Sequence, residues 1–132
     1  MSWKGLWTTA MNTLLDDDQL APALKQAQLY CKMGVDGIII QDLGLGLLIK
    51  EHLPQLPLHL STQAGVYDAE GVRAAAKLGY ERVVLARELS FEEIKKAIAT
   101  GVEIETFVHG ALCMCYSGQC QLSRVIGGRS GN

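Results

Sequence analysis

The sequence predicts an α/β fold, part of a (β/α)8 barrel of the TIM-barrel kind, and three observations carry that prediction. Lys32-Met33-Gly34-Val35-Asp36-Gly37-Ile38-Ile39-Ile40-Gln41-Asp42 is echoed 45 positions later by Lys77-Leu78-Gly79-Tyr80-Glu81-Arg82-Val83-Val84-Leu85-Ala86-Arg87. Each copy reads as a helix end, a glycine that supplies a left-handed C-cap, and then a strand apolar on both faces, as parallel strands covered by helices are. A third copy follows 22 positions after Gly79, where Ala97 to Gly101 ends a helix and Val102 to Val108 reads as a strand.

The remaining elements fall into the same alternation. Leu6 to Met11 reads as the first strand. Leu20 to Met33 has helical spacing, with Asp16, Asp17 and Asp18 supplying a cap and N-terminal charge. Gly44 to His52 is the next helix, and Leu56 to Leu60, after a proline break, the strand that follows it. Two further helices run from Asp68 to Leu78 and from Ser90 to Thr100, the second opening with the capping box Ser90-Phe91-Glu92-Glu93. Five strands alternating with four helices leave a doubly wound sheet or a barrel. A doubly wound dinucleotide site needs a full glycine fingerprint, whereas Gly44-Leu45-Gly46-Leu47-Leu48-Ile49 has only its first two glycines, so the barrel is preferred. A complete barrel takes about 250 residues, so residues 1–132 are expected to form a single partial barrel domain.

Twelve basic against 14 acidic residues give a formal net charge of -2, which excludes a global field drawing the chain to nucleic acid or membrane. Any contact with RNA would be local. No apolar run approaches the roughly 20 residues that span a bilayer, and Met1-Ser2-Trp3-Lys4 does not open a secretory signal. A cytoplasmic location is expected. Half a barrel exposes strand edges, which predicts self-association as a homo-oligomer.

Barrel chemistry gathers where strands end. Those positions hold Asn12 and Thr13, Gln41 and Asp42, Ser61 to Gln63, Arg87 and Glu88, and His109. In the last strand, period-two alternation puts Glu103, Glu105, Phe107 and His109 on one face, directed into the barrel. Asp42, Arg87, Glu105 and His109 are the candidate catalytic residues. Each has a plainer reading beside it: polar residues are ordinary where strands meet solvent, Arg87 with Glu88 can be an ion pair locking neighbouring loops, and a strand-end histidine is usually hydrogen-bonded rather than a ligand.

Of four cysteines, Cys113, Cys115 and Cys120 crowd into eight residues, while Cys31 sits apart in a helix as a small buried apolar side chain. In a reducing compartment such crowding suggests metal or redox chemistry. Buried free thiols, a zinc site of Cys113, Cys115, Cys120 and His109, and a peptidase using Cys113 or Ser117 with His109 and Glu105 are all compatible with the residues. The spacing lacks the usual paired C-x-x-C of zinc sites and does not demand a catalytic triad.

From Glu105 to Ser123 the chain reads Glu-Thr-Phe-Val-His-Gly-Ala-Leu-Cys-Met-Cys-Tyr-Ser-Gly-Gln-Cys-Gln-Leu-Ser. This resembles the signature of the collagenase-like peptidases of family U32. Asn12-Thr13-Leu14, Gln41-Asp42-Leu43-Gly44, Ser61-Thr62-Gln63 and Leu85-Ala86-Arg87-Glu88-Leu89-Ser90 resemble family segments as well. The family was first classed as peptidases (hydrolases) of unknown mechanism, and better understood members act in oxygen-independent hydroxylation of transfer RNA, ribosomal RNA or the ubiquinone ring. The resemblance implies a four-iron four-sulfur cluster on four cysteines, two of which match Cys113 and Cys120. The other two lie downstream of an Arg-Ser-Gly-Asn-Arg-Gly stretch, and this chain stops at Asn132, so the ligand set is expected to be incomplete here. Its N-terminus resembles the third strand of the family barrel. Cys115 stands where another residue is expected and offers a substitute thiolate. RNA contact would use Arg124 and Arg129 near the cluster. A catalytic family fragment thus competes with a noncatalytic, self-associating half-barrel and with a zinc or thiol site.

Overall fold

The computed structural model describes residues 7–110 and 113–120. In chain order its elements are β1 (Thr8–Met11), α1 (Asp17–Met33), β2 (Gly37–Ile40), α2 (Leu43–His52), β3 (Leu58–Leu60), a 3-10 turn (Thr62–Ala64), α3 (Ala69–Lys77), β4 (Arg82–Val84), α4 (Phe91–Ile98) and β5 (Glu103–Glu105). The repeat is real in three dimensions: Gly34, Gly79 and Gly101 all adopt positive φ and turn the chain from helix to strand. α1 begins at Asp17 rather than at Leu20, because Asp17 and Asp18 fill the first turn while Gln19 Oε1 takes the amide of Asp16 at 3.0 Å. Asp68 caps α3 by accepting from the Gly71 amide at 2.7 Å, and Ser90 with Glu93 closes the anticipated capping box on α4.

All five strands are parallel and lie in the order β1-β2-β3-β4-β5. Sequential order with right-handed crossovers winds the sheet one way only and puts every helix on the same face, as in a barrel and unlike a doubly wound sheet. The core follows from this. Ile38, Ile40, Leu58, Leu60, Val83 and Leu85 alternate onto the helical face and pack in one cluster with Ala27 of α1, Leu45 and Ile49 of α2, Val72 and Ala75 of α3, and Ala97 of α4.

The opposite face carries His59, Arg82 and Glu103, aligned across β3, β4 and β5 by register. Arg82 is largely enclosed and pairs with Glu103 at 2.7 Å and with Glu105 at 3.3 Å. β5 is shorter than the strand expected over Val102 to Val108. It is an edge strand whose pairing ends at Glu105, so the alternation that would align Phe107 and His109 with the glutamates stops there.

Two polar groups on this frame are buried without a partner among the described residues: Tyr80 Oη and His59 Nδ1. Burial, with the Asp42 carboxylate, pushes the Tyr80 hydroxyl up to about 12. That hydroxyl sits where Gly46 of α2 leaves no side chain, and a Cβ there would collide with it. Gly46→Ala is therefore expected to cost about 1–3 kcal/mol of unfolding free energy. Tyr80→Phe, which removes the unpaired hydroxyl, should be neutral or stabilising and should recover part of that loss in the double variant, as read from urea unfolding curves.

His59 is held below the ordinary histidine range by burial first and by Arg82 second, with Glu103, Glu105 and Glu81 acting in the opposite sense. The fold therefore favours the neutral ring. This contribution to stability is complete above the unfolded value of about 6.5 and is lost as pH falls below it. Unfolding free energy should accordingly drop between about pH 7 and pH 5 more steeply in the native chain than in His59→Leu.

Candidate functional site

At the C-terminal ends of the strands, hydrogen bonds stitch each loop to the next. Asp42 Oδ1 caps α2 by accepting from the Leu45 amide at 2.8 Å, while its Oδ2 accepts from the Leu15 amide at 3.2 Å in the preceding loop. Gln41 Nε2 donates to Gln63 O at 3.3 Å, and Thr62 Oγ1 to Leu85 O at 3.0 Å. Beyond β4 the amides find successive partners: Leu85 N donates to Glu105 O, Ala86 N to Val66 O, and Arg87 N to Ser117 Oγ at 3.1 Å. The last bond brings the cysteine segment over the ends of β3 and β4.

Ser117 is the anchor of that segment and is 5% exposed. Its amide donates to Glu88 Oε1 at 2.9 Å, its hydroxyl lies 3.3 Å from the same oxygen, and its carbonyl accepts from the Tyr67 hydroxyl at 3.1 Å. Partial burial raises the Glu88 carboxyl, but the two bonds from Ser117 and the nearby Arg87 outweigh it and hold the group below the usual range. Gly118, at φ +79°, completes the turn against Gln63, and a Cβ there would collide with the Gln63 carbonyl.

Arg87 reaches from the end of β4 to the cysteines. Its Nη2 donates to Cys115 O at 2.8 Å, both terminal nitrogens approach Cys113 O at 3.4 and 3.5 Å, and Glu88 Oε1 stands 3.7 Å away. The expected Arg87–Glu88 ion pair is thus present, and it joins two loops through Ser117. The Sγ atoms of Cys113, Cys115 and Cys120 all lie within 4.8 Å of one another. The Cys115 amide donates to Cys113 Sγ at 3.4 Å. That bond, foremost, lowers the Cys113 thiol, with Arg87 adding to it, whereas the neighbouring sulfurs of Cys120 and Cys113 push the Cys115 thiol up. An all-sulfur donor set of this kind suits a soft metal or an iron–sulfur centre.

The four candidate catalytic residues do not converge. Arg87 stands at the cysteines. Glu105 is paired with Arg82 on the sheet face, Asp42 caps α2, and His109 is exposed and outside the sulfur group, so it does not complete a four-ligand zinc set. Cys31 is remote on α1, where it accepts from Gln55 Nε2 at 3.5 Å. Arg124 and Arg129 lie outside the described residues. The adjacency of Arg87 and Glu88 in the sequence points to their pairing, whereas nothing local to Tyr67 points to its bond with Ser117, fifty positions away. Beside Arg87 a cleft of about 440 Å³ opens between α4 and the segment after β5, with Ser90, Phe91, Ile94, Thr106 and Phe107 on its walls.

Removing the anchor should free the segment. Ser117→Ala leaves Arg87 N and part of Glu88 without their partner, a loss of about 1–3 kcal/mol locally. Modification of the cysteines by a thiol reagent is expected to accelerate by roughly fivefold or more, with Cys31 unaffected. Equal reaction rates in the two proteins would show that Ser117 does not hold the loop.

Residues 6–132 match the sequence profile of peptidase family U32. The chain is 41% identical to the 23S rRNA 5-hydroxycytidine C2501 synthase of Escherichia coli (strain K12), over 92% of this chain and 18% of that protein. It is 48% identical to tRNA hydroxylation protein P of the same organism, over 76% and 23%, and 32% identical to a collagenase of Porphyromonas gingivalis, over 86% and 30%. It therefore spans less than a third of the length of these relatives. Among solved structures, a U32 peptidase shares the fold with a TM-score of 0.61 at 19% identity, over 75% of this chain and 44% of that one. Among the described residues no helix is long and apolar enough to cross a membrane. On the strength of the profile match across nearly its whole length, the chain belongs to peptidase family U32.

Proposed function

We propose that this chain contributes the cysteine-bearing part of an enzyme that hydroxylates a base in transfer or ribosomal RNA in the cytoplasm. The observation that carries the reading is the convergence of three cysteine sulfurs at the barrel-rim end of the sheet, under a segment anchored by Arg87, Glu88 and Ser117. The similarity to two RNA hydroxylation proteins supports the choice of substrate.

Cys113 and Cys120 would hold a four-iron four-sulfur cluster together with two further thiolates, and a bound cluster supplies electron transfer that side chains cannot. The chain's own residues do the positioning. Arg87 fixes the carbonyls of Cys113 and Cys115 and places a permanent positive charge beside the sulfurs, which favours their anionic form. Glu88 holds the Ser117 turn and, by its charge, keeps the Arg87 guanidinium oriented. The cleft flanked by Phe91 and Phe107 offers aromatic and apolar walls next to Arg87, of a kind on which an unstacked base can lie.

The peptidase alternative finds less support in the geometry. Ser117 Oγ is engaged by Arg87 N and Glu88 rather than by a histidine, and it is nearly enclosed. Among the described residues β1 and β5 are the outer strands of the sheet, and such edges favour pairing with a further strand, whether from the rest of a longer protein or from a second copy.

The test is nucleoside mass spectrometry of RNA from cells lacking the locus, complemented with the native protein or with Cys113→Ala, Cys120→Ala or Arg87→Ala. One nucleoside heavier by a single oxygen should vanish on deletion, return with the native protein, and fail to return with either cysteine variant. Arg87→Ala should restore it weakly, by roughly a tenth or less. RNA unchanged by deletion, together with gelatin cleavage by the purified protein that requires His109 or Ser117, would reverse the assignment.

A further inference from the structure

Leading into its anchor, the cysteine segment alternates. Cys115 is half-buried and Ser117 nearly enclosed, whereas Met114 is fully exposed and Tyr116 is 67% exposed. The backbone beneath Tyr116 is nonetheless fixed on both sides. Arg87 Nη2 holds the preceding carbonyl, Cys115 O, at 2.8 Å, the Ser117 amide and carbonyl that follow are taken by Glu88 and Tyr67, and Tyr116 O accepts from the Gln119 amide at 3.0 Å. The ring joins none of the core packing. A large aromatic side chain held out to water on an anchored backbone adds little to the fold, and on meeting a partner it has only two torsions to give up.

The charge of the chain decides what kind of contact an RNA substrate needs here. Twelve basic against 14 acidic residues provide no general attraction for phosphates, so contacts with bases have to carry a large share of the affinity. Stacking on an aromatic face supplies such a contact whatever the base. Resting on the RNA reading above, we propose that Tyr116 is a stacking platform for an unpaired base of the substrate, next to the base that reacts. Arg87 lines the cleft of Phe91 and Phe107 and also bonds the carbonyl before Tyr116, so the two aromatic sites flank one guanidinium. A single strand passing Arg87 lays its reacting base in the cleft and the neighbouring base on Tyr116. Met114 adds a flexible thioether on the same exposed side of the segment.

The probe is a fluorescein-labelled RNA hairpin with an unpaired loop, compared with its stem alone as a duplex, and affinity is read from fluorescence anisotropy over a range of potassium chloride. The native chain should prefer the hairpin. Tyr116→Ala should weaken hairpin binding by roughly tenfold and leave the slope of log affinity on log salt unchanged, because no phosphate contact is lost. Tyr116→Phe and Tyr116→Trp should bind as the native chain does, since any flat ring serves, whereas Tyr116→Leu should resemble Tyr116→Ala. Thiol reagents should reach the cysteines of Tyr116→Ala at the native rate, the anchor at Ser117 being intact. Native affinity in Tyr116→Ala or Tyr116→Leu, or no saturable binding of the hairpin by the native chain, would overturn the platform. So would faster thiol modification in Tyr116→Ala, which would make the ring part of the anchor. A changed oligomeric state in Tyr116→Ala, with hairpin affinity unmoved, would assign the exposed side to a protein partner instead. The RNA assignment fails separately, when deletion of the locus leaves the cellular nucleosides unchanged.

Discussion

Where β4 ends, its backbone amides lose the ladder that satisfied them, and the way each finds a new acceptor organises the site. An amide buried without a partner is costly, so the acceptors must come from whatever the fold can bring near. Leu85 still uses β5, Ala86 uses the loop after β3, and Arg87 uses the hydroxyl of Ser117, a residue thirty positions away. That hydroxyl ties the cysteine segment to the end of β4. Glu88 and Tyr67 add two further bonds to the same residue and the Arg87 guanidinium bonds the carbonyls of Cys113 and Cys115, so polar contacts hold the segment.

The polar anchor explains why the sulfurs can remain accessible. Cys113 is exposed and Met114 fully so, although the turn beside them is nearly closed. A hydrophobic anchor of equal strength would have buried the cysteines with it. Arg87 gains a second role from this arrangement, since its backbone fixes the turn while its guanidinium fixes the carbonyls that flank the sulfurs.

The other face of the sheet is charged. Arg82 pairs with Glu103 and Glu105, and His59 is its register neighbour on β3, packed against Gly37, where a side chain would crowd the imidazole. These residues occupy the side that a closed barrel turns inward. From β2 to β4 the helical side is apolar, so the charged residues of the sheet gather on the other face.

The helices, the glycine turns and the alternation of strands were readable from local pattern, because caps and apolar periodicity are decided by neighbours within a few positions. Ser90 with Glu93, Asp68 and the three glycines after helices behave as local chemistry dictates. The extent of β5 was not readable, since an edge strand ends where its partner's ladder ends and its own residues do not record that. The candidate residues divide along the same line. Arg87 and the cysteines could be picked out by type and spacing, whereas the bond from the Leu15 amide to Asp42, the pairing of Glu105 with Arg82 and the use of Ser117 as an acceptor depend on groups more than twenty positions away. Sequence alone determined the family, the α/β class and the place of the cysteines along the chain. Only the tertiary structure decided which side chains share a hydrogen bond, because that is settled by distance between segments and not by order within one.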